Sequence, residues 1–344
     1  MDKRKIRLCW LKDDKPGHLT KIRGLIKALS AVSEVTVVEC YVRWRPKFMR
    51  RVLAFIPIFR KKYPLHYFMK LPHDSTAFDL IVSGGGATEL PNARMSKLFD
   101  AQNIYLGSLR ICDSSEFSLL PRIDGSQDAR VMRMTIVPSE LSRSKADLEA
   151  KRVFPQSLGK TWTVLIGGDG SGISWTVDDW VGLAIGVIRS AHEAGVKLIV
   201  TTSRRTGRIG EEALKAKFEA SGLLASAVWY GEGLTNQSPS LNAMIGHSEL
   251  VCVTEDSASM VNEAVASGRP VLTLKPERSN LDSLIEGMLC QLEQAAYIYR
   301  VIQLGAVNVP PKTKVWTLLE DDWHSSLGRQ ILNRLDKMKE LECF

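Results

Sequence analysis

The sequence predicts an α/β protein with two doubly wound domains that face a cleft. The chain has 344 residues, which is enough for two hydrophobic cores. Apolar segments typical of strands alternate with helical patterns over 6–139, and the alternation resumes over 161–274. Such alternation favours parallel sheets with helices on both faces. A stretch at 138–159 that is rich in Ser, Lys and Glu separates the two halves, and we place the linker there.

The first half is predicted to form a domain over 1–145. It begins with a strand over Ile6–Leu11, and a helix follows in which apolar residues recur at a spacing of three to four. The remaining strands are predicted at 33–42, 79–83, 103–107 and 131–139, with a helix at about 91–99.

The second half is predicted to form a domain over 158–322, and a helix at 325–339 is predicted to close the chain within 323–344. Open α/β sheets bind ligands at the carboxyl ends of their strands, so the loops that follow strands are the candidate sites. The strands of this half are predicted at 161–166, 196–203, 226–231, 249–254 and 269–274, with helices at 176–194, 209–221 and 257–267.

The net charge of +8 arises in one segment, 41–73, which has nine basic and no acidic residues. The rest of the chain has 37 basic and 38 acidic residues. Aromatic and aliphatic side chains lie between the cations, a composition that suits an anionic lipid surface. We therefore predict that this segment faces a membrane. The predicted contact residues are Arg43, Trp44, Arg50, Arg51, Phe55, Lys61 and Lys62.

Two other interpretations of this basic segment stay open. Single-stranded nucleic acid binds to the same residue types through base stacking and phosphate pairing, and it is the least favoured partner. A solvated basic face over an ordinary buried helix would need no partner at all.

Several classes of protein are excluded or disfavoured by the sequence. The longest uncharged apolar runs, at 52–59 and 181–188, are much shorter than the roughly 20 residues of a membrane span. The amino terminus lacks the apolar run of a signal peptide, which predicts a cytoplasmic protein. The six cysteines form no C-x-x-C pair, and no metal site is predicted.

The glycine-rich loop GGDGSG, 167–172, joins a predicted strand to a predicted helix. Backbone amides and the positive end of a helix favour phosphate there, and Gly167 and Gly168 are the predicted contacts. The spacing differs from both the dinucleotide fingerprint and the P-loop, which disfavours nicotinamide chemistry and P-loop hydrolysis. A tight turn that requires positive φ angles is the alternative explanation of these glycines.

Two further loops follow strands of the second half. TTSRRTG places Ser203, Arg204 and Arg205 at the edge of the sheet, where an arginine can bind phosphate with two hydrogen bonds.

In TEDSASMVNEA, the spacing of eight between Glu255 and Glu263 predicts two carboxylates that bind the hydroxyls of a sugar and a ribose. The start of the same helix predicts a diphosphate site at Ser257 and Ser259. Helix capping by Asp256 or Ser257 is compatible with that site.

Four motifs, KPGH at 15–18, LIGGDGSG at 165–172, TSRRT at 202–206 and TEDSASMVNEA at 254–264, together resemble the mitochondrial-fission, or elongated-mitochondria, family. This family is similar to glycosyltransferases of the B fold. The resemblance implies two Rossmann-like domains, of which the first binds mainly the acceptor and the second mainly the nucleotide sugar.

The resemblance also bears on mechanism. Glu255 and Glu263 match the pattern of two glutamates separated by seven residues that many retaining B-fold transferases share. B-fold transferases generally need no metal, so we expect no cofactor beyond the nucleotide sugar as substrate. The plant member of the family is a membrane-associated recruitment factor, which leaves a non-catalytic adaptor as the alternative.

The first half offers two candidate catalytic residues. His18 follows the first strand and is predicted to act as general base on an acceptor hydroxyl. Glu89 follows a run of three glycines and is the competing carboxylate. A hydrogen bond between His18 and backbone at the start of the helix is the structural alternative.

Together these features predict a metal-independent glycosyltransferase, peripheral on the inner face of the cytoplasmic membrane. It would move a sugar from a nucleotide-sugar donor to a lipid-linked or saccharide acceptor of the envelope, as in lipopolysaccharide or glycolipid biosynthesis. An adaptor that keeps the fold is the alternative, and an epimerase or hydrolase of nucleotide sugars is a more distant one.

Overall fold

In the computed structural model the chain divides into two units. The first consists of Met1–Glu140 and Asp322–Phe344, and the second of Leu141–Asp321. The structure describes residues 3–44, 77–123, 127–156, 158–235, 238–301 and 315–342.

The first unit is built on a parallel sheet of four strands. Its strands are β1 (Lys5–Lys12), β2 (Glu34–Tyr41), β3 (Leu80–Gly84) and β4 (Gln102–Leu106). They lie in the order β2-β1-β3-β4, and β1 pairs in parallel with both β2 and β3. Because the direction of winding reverses between β1 and β3, the loops after these two strands meet at the carboxyl edge of the sheet.

Among the described residues of this unit, two helices connect strands of the sheet. Helix α1 (Pro16–Val32) follows β1, and helix α2 (Glu89–Phe99) follows β3. The buried side chains Ile22, Leu25 and Leu29 recur at a spacing of three to four and face the sheet core that includes Leu8 and Ile104. The predicted helix after the first strand is therefore present and is held by its apolar stripe.

The predicted strand at 131–139 is much shorter than expected. Only Val131–Arg133 forms a strand, β6, which pairs in parallel with β5 (Leu120–Arg122) in a separate sheet of two strands. Met134 and Ile136 are nevertheless buried. Their apolar side chains fill the core without a continued strand ladder, which the sequence pattern cannot distinguish from a strand.

The second unit contains a parallel sheet of six strands, β7 to β12. The strands are β7 (Thr161–Leu165), β8 (Lys197–Thr201), β9 (Leu224–Val228), β10 (Leu250–Thr254), β11 (Val271–Leu274) and β12 (Ile298–Val301). Their order is β12-β11-β10-β7-β8-β9. This is the doubly wound order in which winding reverses beside the first strand, so a ligand crevice is expected at the carboxyl ends of β7 and β10.

In the described part of this unit, six helices accompany the sheet. They are α3 (Arg143–Val153), α4 (Val177–Ala194), α5 (Gly207–Ala220), α6 (Leu241–His247), α7 (Ala258–Ala266) and α8 (Ser283–Gln294). Thr176 and Asp179 form a capping box at the start of α4, and Gly195 ends that helix in the left-handed conformation. These local signals explain why the sequence pattern located α4 well.

The stretch predicted as a linker, 138–159, contains helix α3. The Ser142 hydroxyl accepts from the Lys145 amide and caps the start of the helix. Ala146 and Ala150, one turn apart, are its buried residues. Because only two small side chains are buried and the rest of the helix is mostly polar, the composition resembles that of a linker.

The closing helix α9 (Trp323–Glu342) belongs to the first unit. Ile331 and Leu335 are buried in the same core as Leu8 and Leu25. A Cβ built on Gly328 would lie 2.1 Å from the carbonyl oxygen of Ala28, so the two helices approach through a glycine. The first unit is thus completed by the last segment of the chain.

Candidate functional site

Three loops meet at the carboxyl edge of the second sheet, where its winding reverses. They follow β7 (166–172), β8 (202–206) and β10 (255–257), which are neighbouring strands. The GGDGSG, TSRRT and TEDS motifs are therefore brought together, as the position of each motif after a strand predicted.

Side chains at the end of β10 and in the loop after it bind the backbone of the glycine-rich loop. The amide of Gly167 donates to the Thr254 hydroxyl at 2.8 Å, and the amide of Gly168 donates to Oδ2 of Asp256 at 2.9 Å. Both amides were predicted to bind phosphate, but in the structure each donates a hydrogen bond to a side-chain oxygen of the protein.

Arg205 completes this arrangement from the loop after β8. Its Nη2 lies 2.8 Å from Oδ2 of Asp256, which is 2% exposed. The hydroxyl of Ser203 donates to the carbonyl oxygen of Gly167 at 2.7 Å. Arg204, in contrast, is exposed. The two adjacent arginines therefore point apart, one to a carboxylate and one to solvent.

Each glycine of the GGDGSG loop has a packing reason within the protein. A Cβ on Gly167 would lie 2.1 Å from Oδ2 of Asp256, and one on Gly168 would lie 2.0 Å from the carbonyl oxygen of Arg205. Gly168, Gly170 and Gly172 have positive φ angles of 155°, 152° and 82°. Close packing of the loops accounts for these glycines, and phosphate contact with them stays a prediction.

Glu255 is fully buried, and Arg300 on β12 holds its carboxylate. Nε and Nη2 of Arg300 donate to the two carboxylate oxygens at 2.8 and 2.7 Å, and the Thr273 hydroxyl donates to Oε1 at 2.8 Å. Arg300 also pairs with Glu286 at 2.6 Å. These carboxylates raise the pKa of the Arg300 guanidinium above its ordinary value. The sequence analysis missed Arg300, which is 45 residues from Glu255.

Glu263 is in a different situation from Glu255. It lies in the second turn of α7 and is half-buried, and no hydrogen bond or ion pair joins its carboxylate to another described residue. Burial raises the pKa of Glu263. Of the two predicted carboxylates, Glu263 is therefore the one with free acceptor capacity.

The start of α7 differs from the expected capped helix. Ser257 is the N-cap residue, but its side chain makes no capping hydrogen bond, and the Asp256 carboxylate turns towards Gly168 and Arg205 instead. The Ser257 and Ser259 hydroxyls lie 3.4 Å apart. A helix start without a side-chain cap keeps amide donors for an anion.

In the first unit, His18 and the glycine run lie together at the carboxyl edge of the sheet. Nδ1 of His18 lies 2.7 Å from Oδ2 of Asp13, a buried carboxylate at the end of β1. A Cβ on Gly85 would lie 2.0 Å from Nδ1 of His18, so only glycine leaves room for the ring. The sequence analysis named His18 but missed Asp13, although the two are only five residues apart.

Glu89 has a structural contact set. It is fully buried, and its Oε1 accepts from the amides of Arg110, Ile111 and Cys112, each at 2.8 Å. A carboxylate that binds three successive amides fixes the loop that carries them. This contact set gives Oε1 of Glu89 a structural role, and the catalytic roles of Glu89 and His18 stay predictions.

The predicted membrane segment lies mostly outside the described residues. Arg50, Arg51, Phe55, Lys61 and Lys62 all fall there. Of the remaining contact residues, Arg43 is exposed and Trp44 is buried in the core, where its Nε1 donates to the carbonyl oxygen of Ala87 at 2.7 Å.

This placement corrects the expectation that the Trp44 ring inserts into a membrane. A buried indole whose N–H already has a partner has no surface to offer a lipid.

The described residues contain neither a candidate metal site nor a candidate membrane span. No three His, Cys, Asp or Glu side chains within the described ranges form a group that could hold a metal ion. None of the helices in the described parts of the chain is long and apolar enough to cross a bilayer.

The fold of the chain is similar to that of several solved structures. UDP-GlcNAc 2-epimerase from Methanocaldococcus jannaschii is 13% identical with a TM-score of 0.55, over 97% of this chain and 99% of that one. A putative UDP-N-acetylglucosamine 2-epimerase from Listeria monocytogenes is 13% identical with a TM-score of 0.52, over 98% and 97%. The family 9 glycosyl transferase from Veillonella parvula is 10% identical with a TM-score of 0.45, over 98% of both chains.

The two epimerase similarities concern the fold alone. They confirm the predicted fold class of two Rossmann-like α/β domains of the glycosyltransferase B type. No curated protein matches the sequence. The family described as mitochondrial fission ELM1 matches residues 16–310, which cover most of the chain and include three of the four motifs of the resemblance in full and all of KPGH except Lys15. The chain therefore belongs to the mitochondrial fission ELM1 family.

Proposed function

We propose that the protein is a glycosyltransferase that moves a sugar from a nucleotide-sugar donor to a lipid-linked or saccharide acceptor of the envelope. The observation that carries this proposal is the arrangement at the carboxyl edge of the second sheet. Arg205, the start of α7 without a side-chain cap, and the partly exposed carboxylate of Glu263 all belong to the three loops or to the helix that follows one of them. Fold similarity to enzymes named for UDP-GlcNAc supports a nucleotide sugar as the ligand.

The donor is assigned to the second unit. Arg205 and the amides at the start of α7 would bind the diphosphate, with Ser257 and Ser259 beside it. Glu263 would accept hydrogen bonds from sugar or ribose hydroxyls, since its carboxylate has no partner among the described residues. Glu255, held by Arg300, would fix the shape of the loop and place it for the ligand.

The acceptor is assigned to the first unit, with His18 as general base. If Nδ1 carries the proton that is shared with Asp13, Nε2 has a free lone pair for the proton of an acceptor hydroxyl. The acceptor oxygen then bonds to the anomeric carbon of the donor. The bond from that carbon to the diphosphate breaks, and the nucleoside diphosphate leaves with the electron pair.

We further propose that the enzyme works at the inner face of the membrane, without a metal cofactor. Support comes from the basic and aromatic composition of 41–73, because an anionic lipid surface attracts clustered Lys and Arg. A lipid-linked acceptor would be reached directly from such a position.

A panel of nucleotides tests the donor site. Thermal unfolding would be measured with UDP, UDP-GlcNAc and the other nucleoside diphosphates and nucleotide sugars, each with EDTA and with Mg²⁺. A ligand that binds only the folded state raises the unfolding temperature by mass action. We expect at least one nucleotide to stabilise the protein equally in both conditions, whereas stabilisation by none would favour a non-catalytic adaptor.

Product analysis then tests the reaction. The stabilising nucleotide sugar would be incubated with membrane lipid extract, and its products would be separated by mass spectrometry. Sugar on a lipid or saccharide supports transfer. An isomerised nucleotide sugar without transfer would identify an epimerase instead, and free sugar would identify a hydrolase.

A further inference from the structure

Asp256 lies in the loop after β10, at the carboxyl edge of the second sheet, and binds two groups typical of a phosphate site. Its Oδ2 accepts from the backbone amide of Gly168 at 2.9 Å and pairs with Nη2 of Arg205 at 2.8 Å. A backbone amide in a glycine-rich loop and an arginine fork are the donors that proteins use for phosphate oxygens.

Ordinary roles of an aspartate before a helix do not explain this position. The Asp256 carboxylate does not cap α7, because the N-cap there is Ser257 and no side chain caps the helix. Its Oδ1 is buried and has no hydrogen-bond partner among the described residues. A buried carboxylate oxygen without a donor is costly, and burial raises the pKa of Asp256.

The donors around Asp256 are better suited to a ligand with more oxygen atoms. Arg205 is still about one-third exposed at 32%, so its guanidinium is reachable from solvent. Its remaining contacts, from Nη1 to the carbonyl oxygens of Asp169 and Asp256 at 3.5 and 3.4 Å, are long. The uncapped start of α7 adds further amide donors directly after Asp256.

We propose that the Asp256 carboxylate occupies the position of a donor phosphate group, and that a diphosphate displaces it from Gly168 and Arg205 when it binds. The proposal rests on the proposed function for the nature of the ligand. It adds that Asp256 competes with the nucleotide for the same donors, so that this carboxylate lowers the affinity for diphosphates. A purely positioning aspartate would have the opposite effect.

Inorganic pyrophosphate tests the competition without assuming a nucleotide. Its affinity would be measured by calorimetry for the parent protein and for Asp256→Ala, which opens the position and leaves both donors. We expect pyrophosphate to bind Asp256→Ala at least about tenfold more tightly, a gain of about 1.4 kcal/mol. We also expect pyrophosphate to restore the unfolding temperature that this variant loses. Unchanged or weaker binding would overturn the proposal.

Three further variants make the test specific. Arg205→Ala combined with Asp256→Ala should lose the gain, because the guanidinium is then absent. Asp179→Ala, which removes a capping carboxylate of α4, should lower stability without a gain in affinity. Asp256→Asn is measured if Asp256→Ala does not fold, and because it removes the charge it should still gain affinity. A loss of affinity in Asp256→Asn would contradict the competition.

The experiments distinguish a failure of the competition by Asp256 from a failure of the proposed function. If pyrophosphate binds more tightly to Asp256→Ala but no nucleotide binds to any variant, the competition stands and the donor assignment fails. If UDP binds the parent protein and binds Asp256→Ala equally or more weakly, the donor assignment stands and the competition fails.

Discussion

Nδ1 of His18 lies 2.7 Å from Oδ2 of Asp13 at the carboxyl edge of the first sheet. Asp13 is 8% exposed, whereas the His18 side chain is 26% exposed. A buried carboxylate that accepts from one ring nitrogen orients the imidazole and directs the other nitrogen to a substrate. This pair defines the first experiment on the acceptor side.

The His18→Ala variant should keep donor binding and lose about 100-fold or more in transfer rate, since general base catalysis contributes about that much. Asp13→Asn should lose part of the same rate, because the ring is then less well oriented. Initial rates and nucleotide affinity would be measured together. Lys97→Ala, at an exposed ion pair of the same unit, is the control. Near-normal turnover of His18→Ala would exclude it as the base.

The Glu263→Ala variant should weaken nucleotide-sugar binding by about 1 to 3 kcal/mol, the usual effect of removing a hydrogen bond to a charged group. The fold should persist, because no described residue depends on this carboxylate for a partner. Calorimetry with the stabilising nucleotide measures the change. Glu193→Ala, on the exposed face of α4, should bind like the parent. Equal affinity for both variants would remove Glu263 from the site.

Glu263 should also make stability depend on pH. Burial raises its pKa above the ordinary 4.5, so the folded protein holds this proton more tightly than the unfolded chain. Its contribution to stability is full below pH 4.5 and is lost as the pH rises through the folded pKa.

Because Glu263→Gln does not titrate, it should be more stable than the parent at pH 7, with a smaller difference towards pH 4.5. Urea unfolding between pH 4.5 and 8 measures this effect, with Glu193→Gln as the control. Parallel pH profiles of the parent and Glu263→Gln would show that burial of this carboxylate has no energetic cost.

Removal of Arg300 should destabilise the second unit strongly. Arg300→Met leaves the fully buried Glu255 carboxylate without its ion-pair partner, which costs about 3 to 5 kcal/mol. The double variant with Glu255→Gln should recover much of this loss, because no buried charge is then unpaired. Glu286→Gln removes the more exposed partner, at 40%, and should change stability much less. Urea unfolding of the parent, Arg300→Met, Glu255→Gln and the double variant would show whether the pair is coupled.

The basic segment should bind membranes through charge. The purified protein should bind anionic vesicles but not neutral ones, and salt should weaken the binding by screening. Reversal of Arg50, Arg51, Lys61 and Lys62 to Glu should abolish vesicle binding and leave nucleotide binding intact. Equal binding to both kinds of vesicle, or none to either, would refute the membrane interpretation.

Trp44 provides a contrast to these surface charges. Because it is buried in the core of the first unit, Trp44→Ala should lower the free energy of unfolding by about 3 to 5 kcal/mol. Any loss of vesicle binding in this variant should follow from unfolding, which circular dichroism would detect. If Trp44→Ala keeps its stability and loses only vesicle binding, the result would support the original prediction that this ring contacts the membrane.

The strands and long helices were predictable because each carries its own signal. The buried strands β7, β8 and β10 are short apolar runs, and α4 has both an apolar stripe and a capping box. Helix α3 lacked such a signal because only Ala146 and Ala150 are buried. Met134 was predicted to lie in a strand because it is apolar, but it is buried outside any strand. Local patterns therefore failed where burial was sparse or was not coupled to a strand.

The candidate site was predictable in position but not in its pairings. Motifs after parallel strands had to meet at one edge, and those of the second unit do. The partners of Glu255 and Glu89 could not be predicted, because one is the distant Arg300 and the other a set of backbone amides that any residue supplies. Trp44 was misplaced for a related reason, since composition does not show which aromatic rings face inward.

The position of α9 has a consequence for biosynthesis. The amino-terminal unit includes Ile331 and Leu335 in its core, so it cannot be completed until α9 has left the ribosome. The second unit, Leu141–Asp321, has all its strands earlier in synthesis. Domains usually fold during synthesis with the amino-terminal domain first. In this chain the amino-terminal unit is instead completed after the second unit has been synthesised. Until α9 is synthesised, the apolar side chains that pack against Ile331 and Leu335 in this core lack those two partners.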